Sequence, residues 1–273
     1  IHEGRLKQVT SYVQRTVEKY NLPARVVAST NRRELLPDAD FVVTSVAVGG
    51  HAYAGFPFSA EMEIPRKYGV DQSVADTIGP GAVFRFLRTG PVQLQFLKDV
   101  EELCPDALVL NHTNPMAMLT WLQSVATPIR NVGLCHGVQH TTTLMARWIG
   151  VPYEEITFHC SGVNHLAFIT DFRRGKENLY PRLLEAFEKD EQLRKKESVR
   201  YELLKAFGCF STESNRHDSE YLPYFRRTPE LMAHYNLPSR IVPDKPPHVR
   251  EWAQDAGGED DPSSGPVGEL KRS

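Results

Sequence analysis

The segment 131–165 concentrates thiol and imidazole side chains that could bind a metal ion or act in catalysis. Cys135 ends a short apolar run, and His165 follows a Gly-Val-Asn turn. A thiolate and an imidazole on converging loops can bind a divalent transition metal, with substrate oxygens completing the shell. Spacing alone favours the alternative, a buried core thiol, because cysteine is among the most commonly buried residues. For His159 and Cys160, in the middle of a predicted strand, we expect burial in the core.

Two further stretches carry polar groups that could contact a substrate. Asn114 precedes a proline in Asn-His-Thr-Asn-Pro, so its backbone is restricted and its amide could be aimed at a sugar or nicotinamide-ribose hydroxyl. A plain turn, in which Asn114 caps the next helix, is the alternative and is favoured by this motif alone. Asp76, Arg85 and Arg88 surround a predicted Gly-Pro-Gly turn. The two arginines share a helix face that could meet an anionic group, although most such pairs are merely solvated.

A third polar stretch, STESNRHDSEYLPYF at 211–225, is dense in possible acids and bases. Its candidates are Glu213, His217, Asp218, Glu220, Tyr221 and Tyr224. A polar helix start with a serine or asparagine cap explains the same pattern equally well.

Alternating strands and helices must position these residues. Apolar, β-branched runs at 41–48 and 107–110, and a third ending at Cys135, predict buried parallel strands. Segments 92–103 and 116–125 have the apolar period of helices. This alternation predicts an α/β domain with a mostly parallel sheet. Ligands of such sheets bind beyond the carboxyl ends of the strands, where Gly49, Asn114 and Cys135 would lie.

The pattern of apolar and polar residues changes after about residue 150. Segment 156–175 alternates like antiparallel strands, and 179–207 predicts one or two charged helices. We therefore expect domains at 1–150 and 151–240, the second of α+β type. The remaining stretch, 241–273, is rich in Pro, Gly, Ser and acidic residues, so we expect a disordered tail.

Composition excludes some partners and indicates a compartment. The 32 basic and 34 acidic side chains give a net charge of -2, which argues against nucleic acid or an anionic membrane and favours a small-molecule partner. No apolar run approaches the roughly 20 residues of a membrane span, and no signal peptide is evident. Four scattered cysteines form no disulfide framework, so we expect a cytoplasmic protein.

Five motifs, taken in order, resemble glycoside hydrolase family 4. They are IPRKYGVDQSVADTIGPGAVFRFLRTGPV, CPDALVLNHTNPMAM, VGLCHG, CSGVNHLAF and TESNRHDSEYLPYF, and the resemblance runs from about residue 1 to about residue 235. It implies a lactate-dehydrogenase-like Rossmann domain, followed by an α+β substrate domain. It also implies NAD and Mn²⁺ as cofactors, an α-glycoside as substrate, and assembly into a homo-oligomer.

The reaction implied by the resemblance differs from two-carboxylate glycosidase chemistry. In the family, NAD⁺ takes hydride from C3 of the sugar, which acidifies the C2 proton. A base removes that proton while the metal stabilises the enediolate. The glycosidic oxygen then leaves, water adds and the hydride returns, so there is no net oxidation.

The resemblance also assigns roles to individual residues. Cys135 and His165 match the metal ligands, and His136 matches a group close to the leaving group. His217, Asp218 and Tyr221 compete for the role of base, with Asp218 and Tyr221 ranked equal. Substrate contacts are expected from Asp76, Arg85 and Asn114, and NAD contacts from Val48, Gly49 and Asn114.

The sequence Cys-His-Gly at 135–137 resembles the branch that acts on non-phosphorylated α-glycosides. General similarity favours an α-galactosidase, and α-glucosidase or α-glucuronidase activity remains an alternative. Family chains begin earlier, with a first strand and a glycine-rich phosphate loop, and they continue past residue 240. No Gly-x-Gly-x-x-Gly loop follows a strand here, so we expect a chain truncated at both ends.

Two rival interpretations remain. Loss of the phosphate loop would fit a non-catalytic remnant or sugar-binding protein. A 2-hydroxy-acid dehydrogenase would share the fold, but the Gly-Val-Asn-His motif argues against it.

Overall fold

The computed structural model describes residues 3–49, 55–237 and 239. Elements of the first part are α1 (Glu3–Lys19), β1 (Phe41–Thr44), α2 (Phe58–Lys67), α3 (Gly79–Leu103), β2 (Leu108–Asn111), α4 (Met116–Ala126), β3 (Asn131–Gly133) and α5 (Gly137–Trp148). Those of the second part are β4 (Thr157–Val163), β5 (Leu166–Arg174), β6 (Glu177–Asn178), α6 (Tyr180–Lys189), α7 (Glu191–Lys196), α8 (Ser198–Phe207), β7 (Phe210–Ser211), α9 (Asn215–Tyr221) and α10 (Pro229–His234).

The first sheet is parallel, in the order β1-β2-β3, as the strand-helix alternation predicts. One of its faces packs on α3, where Leu97, Val100 and Val109 form a core with Ile129. The expectation of a fully buried first strand is wrong in part. Phe41 and Val43 of β1 are exposed, because they point away from the face that α3 covers.

The first strand is also shorter than the predicted run 41–48. It ends at Thr44, and beyond it the Val46 amide donates to Thr113 Oγ1 (3.0 Å) instead of continuing the ladder. The Gly-Pro-Gly sequence is not a separate turn, since it forms the first turn of the 25-residue helix α3. Proline lacks an N–H and is tolerated there, because the first helical N–H groups have no partner within the helix.

The second sheet is antiparallel, in the order β4-β5-β6, with β7 also paired to β5. Its core contains Ile169, Phe172, Leu183, Phe187 and Phe210, all fully buried. Segment 179–207 forms three helices, α6 to α8, instead of one or two. The α/β first part and the α+β second part agree with the predicted fold class.

The prediction that His159 and Cys160 belong to the core is wrong. Both side chains are exposed. Strand β4 pairs with β5 at the edge of its sheet, and Phe158 is its only residue that is not exposed. A position in the middle of this edge strand therefore does not bury His159 or Cys160.

Within the part of the chain that the structure describes, no helix combines the length and apolar character that crossing a bilayer requires. The predicted disordered tail, 241–273, lies outside the described residues.

Candidate active site

The carboxyl ends of the three parallel strands meet at one edge of the first sheet. The Thr44 hydroxyl at the end of β1 donates to Asn111 Oδ1 at the end of β2 (2.8 Å). Asn114 lies three residues beyond β2, and Cys135 lies two residues beyond β3. The sheet therefore brings the loop residues together, as the sequence predicts.

Cys135 and His165 come together from the two sheets. The Cys135 Sγ lies 3.4 Å from His165 Nε2. His165 occupies the tight turn between β4 and β5 in a left-handed conformation (φ 62°). Its side chain is buried, and its Nδ1 has no hydrogen-bond partner among the described residues. Burial, together with the neighbouring His217, lowers the pKa of His165 to about 4, so the imidazole is neutral and able to act as a ligand.

Glu213 completes a group of three potential ligands. One atom each from Cys135, His165 and Glu213 lies within 4.8 Å of the others. Thiolate, imidazole and carboxylate are all donors to divalent transition metals, so the residues fit such an ion. Burial raises the pKa of Glu213 to about 7, and burial also raises the pKa of Cys135. A second group, with Asp76 and His217, shares His165.

Sequence reasoning placed Glu213 in a polar stretch but not at the metal site. The residue reaches the site because β7, only two residues long, pairs with β5. A strand this short has no detectable periodicity. One local signal does exist, because a Cβ at Gly137 would lie 2.4 Å from Glu213 Oε1, so any residue other than glycine after His136 would displace this carboxylate.

Asn114 and Asp76 form the proposed sugar side of the site. The Asn114 amide donates to Asp76 Oδ2 (3.0 Å), and Asn114 Oδ1 accepts from the Met116 amide (3.2 Å). Asn114 therefore holds Asp76 and also accepts from the first amide of α4, while its contact with a substrate stays a prediction. Asp76 is buried, and burial raises its pKa.

The two candidate bases, Asp218 and Tyr221, differ in their exposure to solvent. Asp218 is fully buried, its Oδ1 accepts from the Ser211 hydroxyl (2.7 Å), and burial raises its pKa to about 7. Tyr221 is half-buried, and its hydroxyl donates to the Asn164 carbonyl (3.4 Å). Burial raises the pKa of Tyr221. Tyr221 is therefore the more exposed of the two residues.

The other predicted residues lie around this centre. His136 is exposed at the start of α5, close enough to disfavour protonation of His165. Arg85 Nη2 lies 3.4 Å from Glu61 Oε2, and Arg88 also pairs with Glu61. Both arginines of the predicted anion-binding pair thus contact the buried carboxylate of Glu61.

Val48 and Gly49 follow β1 at the same sheet edge. The Val48 carbonyl accepts from Arg88 Nε (2.8 Å), which ties this loop to α3. Gly49 is exposed and has φ 98°, a conformation that favours glycine.

Comparison with known proteins identifies the family of the chain. The model of the family 4 glycosyl hydrolases matches residues 1–151, and that of their C-terminal domain matches residues 160–256. The chain belongs to glycosyl hydrolase family 4.

Among curated relatives, an α-galactosidase of Rhizobium meliloti (strain 1021) is 42% identical over 86% of this chain and 48% of its own length. An α-galactosidase of Bacillus subtilis (strain 168) is 36% identical over 87% of this chain and 55% of its own length. The chain thus spans about half the length of the relatives it matches.

Solved structures of two phosphoglucosidases share the fold. A 6-phospho-β-glucosidase from Thermotoga maritima, with NAD and glucose-6-phosphate, has a TM-score of 0.65 and 22% identity, over 86% of this chain and 52% of its own. A 6-phospho-α-glucosidase from gut microorganisms, in complex with NAD and Mn²⁺, has a TM-score of 0.64 and 17% identity, over 86% of this chain and 55% of its own. The predicted Rossmann-like fold is confirmed.

Proposed function

We propose that the chain contributes the metal- and sugar-binding centre of a hydrolase that cleaves α-galactosides with the help of NAD and Mn²⁺. The main support is the 3.4 Å distance between Cys135 Sγ and His165 Nε2, in a chain 42% identical to an α-galactosidase. The NAD and Mn²⁺ in a 6-phospho-α-glucosidase of similar fold support the choice of cofactors.

Cys135, His165 and Glu213 would hold the cation. When bound, the cation supplies Lewis-acid stabilisation of negative charge on sugar oxygens, and NAD supplies reversible hydride transfer. Val48, Gly49 and Asn114 would line part of the NAD site, since they lie at the carboxyl edge of the parallel sheet.

The sugar would be oriented by Asp76, whose carboxylate can accept a hydrogen bond from a hydroxyl while Asn114 holds it. We assign the removal of the C2 proton to Tyr221 in its phenolate form, because Asp218 has no exposed surface. Burial alone favours the phenol, and a cation bound nearby would favour the phenolate. His136, at the exposed start of α5, would donate a proton to the leaving oxygen. Arg85 would act through its charge near Asp76, given its pairing with Glu61.

We further propose two domains, at 1–150 and 151–240. Cys135 belongs to the first and His165 to the second, so a cation held by both would join them.

The choice of galactoside rests on the two α-galactosidases, at 42% and 36% identity, against α-galacturonidases at 30% or less. An α-glucosidase or α-glucuronidase activity is the alternative. A cytoplasmic location and a homo-oligomer remain predictions, and the four free cysteines fit a reducing compartment.

The test is hydrolysis of p-nitrophenyl α-galactoside by the purified chain with NAD, Mn²⁺ and a thiol reductant. Turnover that exceeds that of the α-glucoside and α-glucuronide, and that Cys135→Ser abolishes, would support the proposal. Cys160→Ser is the matched control, because that thiol is exposed on β4, and it should retain full activity.

Other outcomes identify the rival functions. No turnover of any α-glycoside, together with no rise in melting temperature on adding NAD, would favour a non-catalytic protein. Hydride exchange with 2-hydroxy acids, without glycoside cleavage, would favour a dehydrogenase.

A further inference from the structure

Three successive main-chain amides converge on one carboxylate beside the site. The Val74 amide donates to Glu220 Oε1 (2.6 Å), and the Ala75 amide donates to Glu220 Oε2 (3.2 Å). The Ser73 amide also donates to Oε1. Consecutive N–H groups that point to one spot form a nest, a concavity that binds anions. In this protein the anion is a side chain from α9, 146 residues beyond Val74.

The conformation of this segment, which we call the 73–75 nest, is unfavourable without its anion. Ala75 has φ 55°, in the left-handed region that residues with a Cβ rarely adopt. Ala75 is fully buried, and a Cβ at Gly81 would lie 2.7 Å from both its Cβ and its carbonyl oxygen. Such strain persists only where the surroundings fix it, and the Glu220 carboxylate is the group that satisfies all three amides.

The nest connects two parts of the proposed site. The next residue in the chain is Asp76, which Asn114 holds and which lies close to His165. The residue after Glu220 is Tyr221, our candidate base. A second link runs in parallel, because Arg226 Nη2 lies 2.6 Å from Asp71 Oδ2. The loop before α3 is thus fastened to the segment that starts with α9.

We propose that Glu220 is a positioning residue, which fixes the carboxylate of Asp76 relative to Tyr221 by binding the 73–75 nest. The assignment rests on the proposed function of the site. Burial raises the pKa of Glu220, while the three amides and Arg226 favour the charged form. The carboxylate is only half-buried and lies outside both groups of potential metal ligands.

The kinetic test compares Glu220→Gln, Glu220→Ala and Asp76→Asn with p-nitrophenyl α-galactoside, NAD and Mn²⁺. A misplacement of about 1 Å costs on the order of 100-fold, so we expect Glu220→Ala to lower kcat/KM by about 100-fold. Glu220→Gln should fall between Ala and wild type, because its one acceptor oxygen can still serve two amides. The KM should rise, whereas a smaller folded fraction would lower only the apparent kcat.

The double variant Glu220→Gln/Asp76→Asn separates a positioning role from a general one. If Glu220 acts through Asp76, the double variant is no slower than Asp76→Asn alone. Fold-losses that multiply would overturn the proposal.

A second measurement does not depend on turnover. Hydrogen exchange of the amides of residues 73–75 should be at least about tenfold faster in Glu220→Gln than in the wild type. The control is Asp99→Asn, which removes a carboxylate that pairs with Arg32 and Arg33 far from the nest, and it should leave this exchange unchanged. Unchanged exchange in Glu220→Gln would overturn the proposal. If the wild type cleaves no α-glycoside, the proposed function fails, and exchange alone decides whether Glu220 holds the nest.

Discussion

Gly137→Ala should damage the metal site while leaving the fold intact. The new Cβ would lie 2.4 Å from Glu213 Oε1 and 3.3 Å from Glu213 Cδ. Ordinary contact begins at 3.4 Å, so the carboxylate must move by about 1 Å. Metal-ligand distances tolerate only about 0.2 Å, so a shift of that size removes Glu213 from a shared coordination shell. We expect the Mn²⁺ dissociation constant to rise at least about tenfold, as for loss of a group that supports a metal.

Gly137→Ala should destabilise the protein by no more than about 3 kcal/mol, because two contributions oppose each other. Overpacking costs about 1–3 kcal/mol. Replacing glycine by alanine in a helix gains up to about 1 kcal/mol. Thermal melting and a Mn²⁺ titration followed by electron paramagnetic resonance measure the two effects separately.

Gly175→Ala is the matched control for this experiment. Gly175 has φ 58° with open space around it, so alanine there strains the backbone without touching the site. It should lower the melting temperature and leave Mn²⁺ affinity unchanged. If Gly137→Ala binds Mn²⁺ as tightly as the wild type, Glu213 is not a ligand.

Three further predictions concern pH, packing and thiol access. Because the pKa of Asp218 is raised to about 7, the folded protein keeps a proton that the unfolded chain loses above about 3.8, and stability falls as pH rises between these values. Asp218→Asn should flatten that part of the stability curve in urea unfolding at pH 4 to 7, and an unchanged slope would contradict the assignment. Phe172→Ala should destabilise the second part by about 3–5 kcal/mol in the same assay, because the side chain is fully buried, and a loss below about 1 kcal/mol would refute that packing. Alkylation followed by mass spectrometry should modify exposed Cys160 first and buried Cys104 last, and the reverse order would contradict the edge position of β4.

The elements with regular apolar patterns could be predicted from the sequence. Strand β2 and helix α4 lie within one residue of their predicted bounds, since long-range packing there agrees with the local pattern. The position of Asn114 and Cys135 at one sheet edge follows from the same argument. Errors arose where local pattern and tertiary context disagree. His159 and Cys160 sit in a strand whose sheet ends at that strand, which no local pattern reveals.

The rest of the site depends on contacts between distant segments. Glu213 faces Cys135 only because β7 pairs with β5, and Glu220 reaches the 73–75 nest across 146 residues measured from Val74. A sequence pattern reports the periodicity of one element and carries no information about such pairings. The motif order of the family suggested Cys135 and His165 as a metal pair, whereas the carboxylates around them required the fold.

The buried titratable groups of the site would respond together to a bound cation. Burial lowers the pKa of His165 and His217 to about 4, so both rings are neutral at pH 7. Burial also raises the pKa of Glu213 and Asp218 to about 7, so each carboxyl group is partly protonated at that pH. A divalent cation in this centre would favour the carboxylate form of Glu213 and the thiolate of Cys135, and its binding would release protons. Cation binding to this centre should therefore weaken as pH falls, because the cation competes with protons for Glu213 and Cys135.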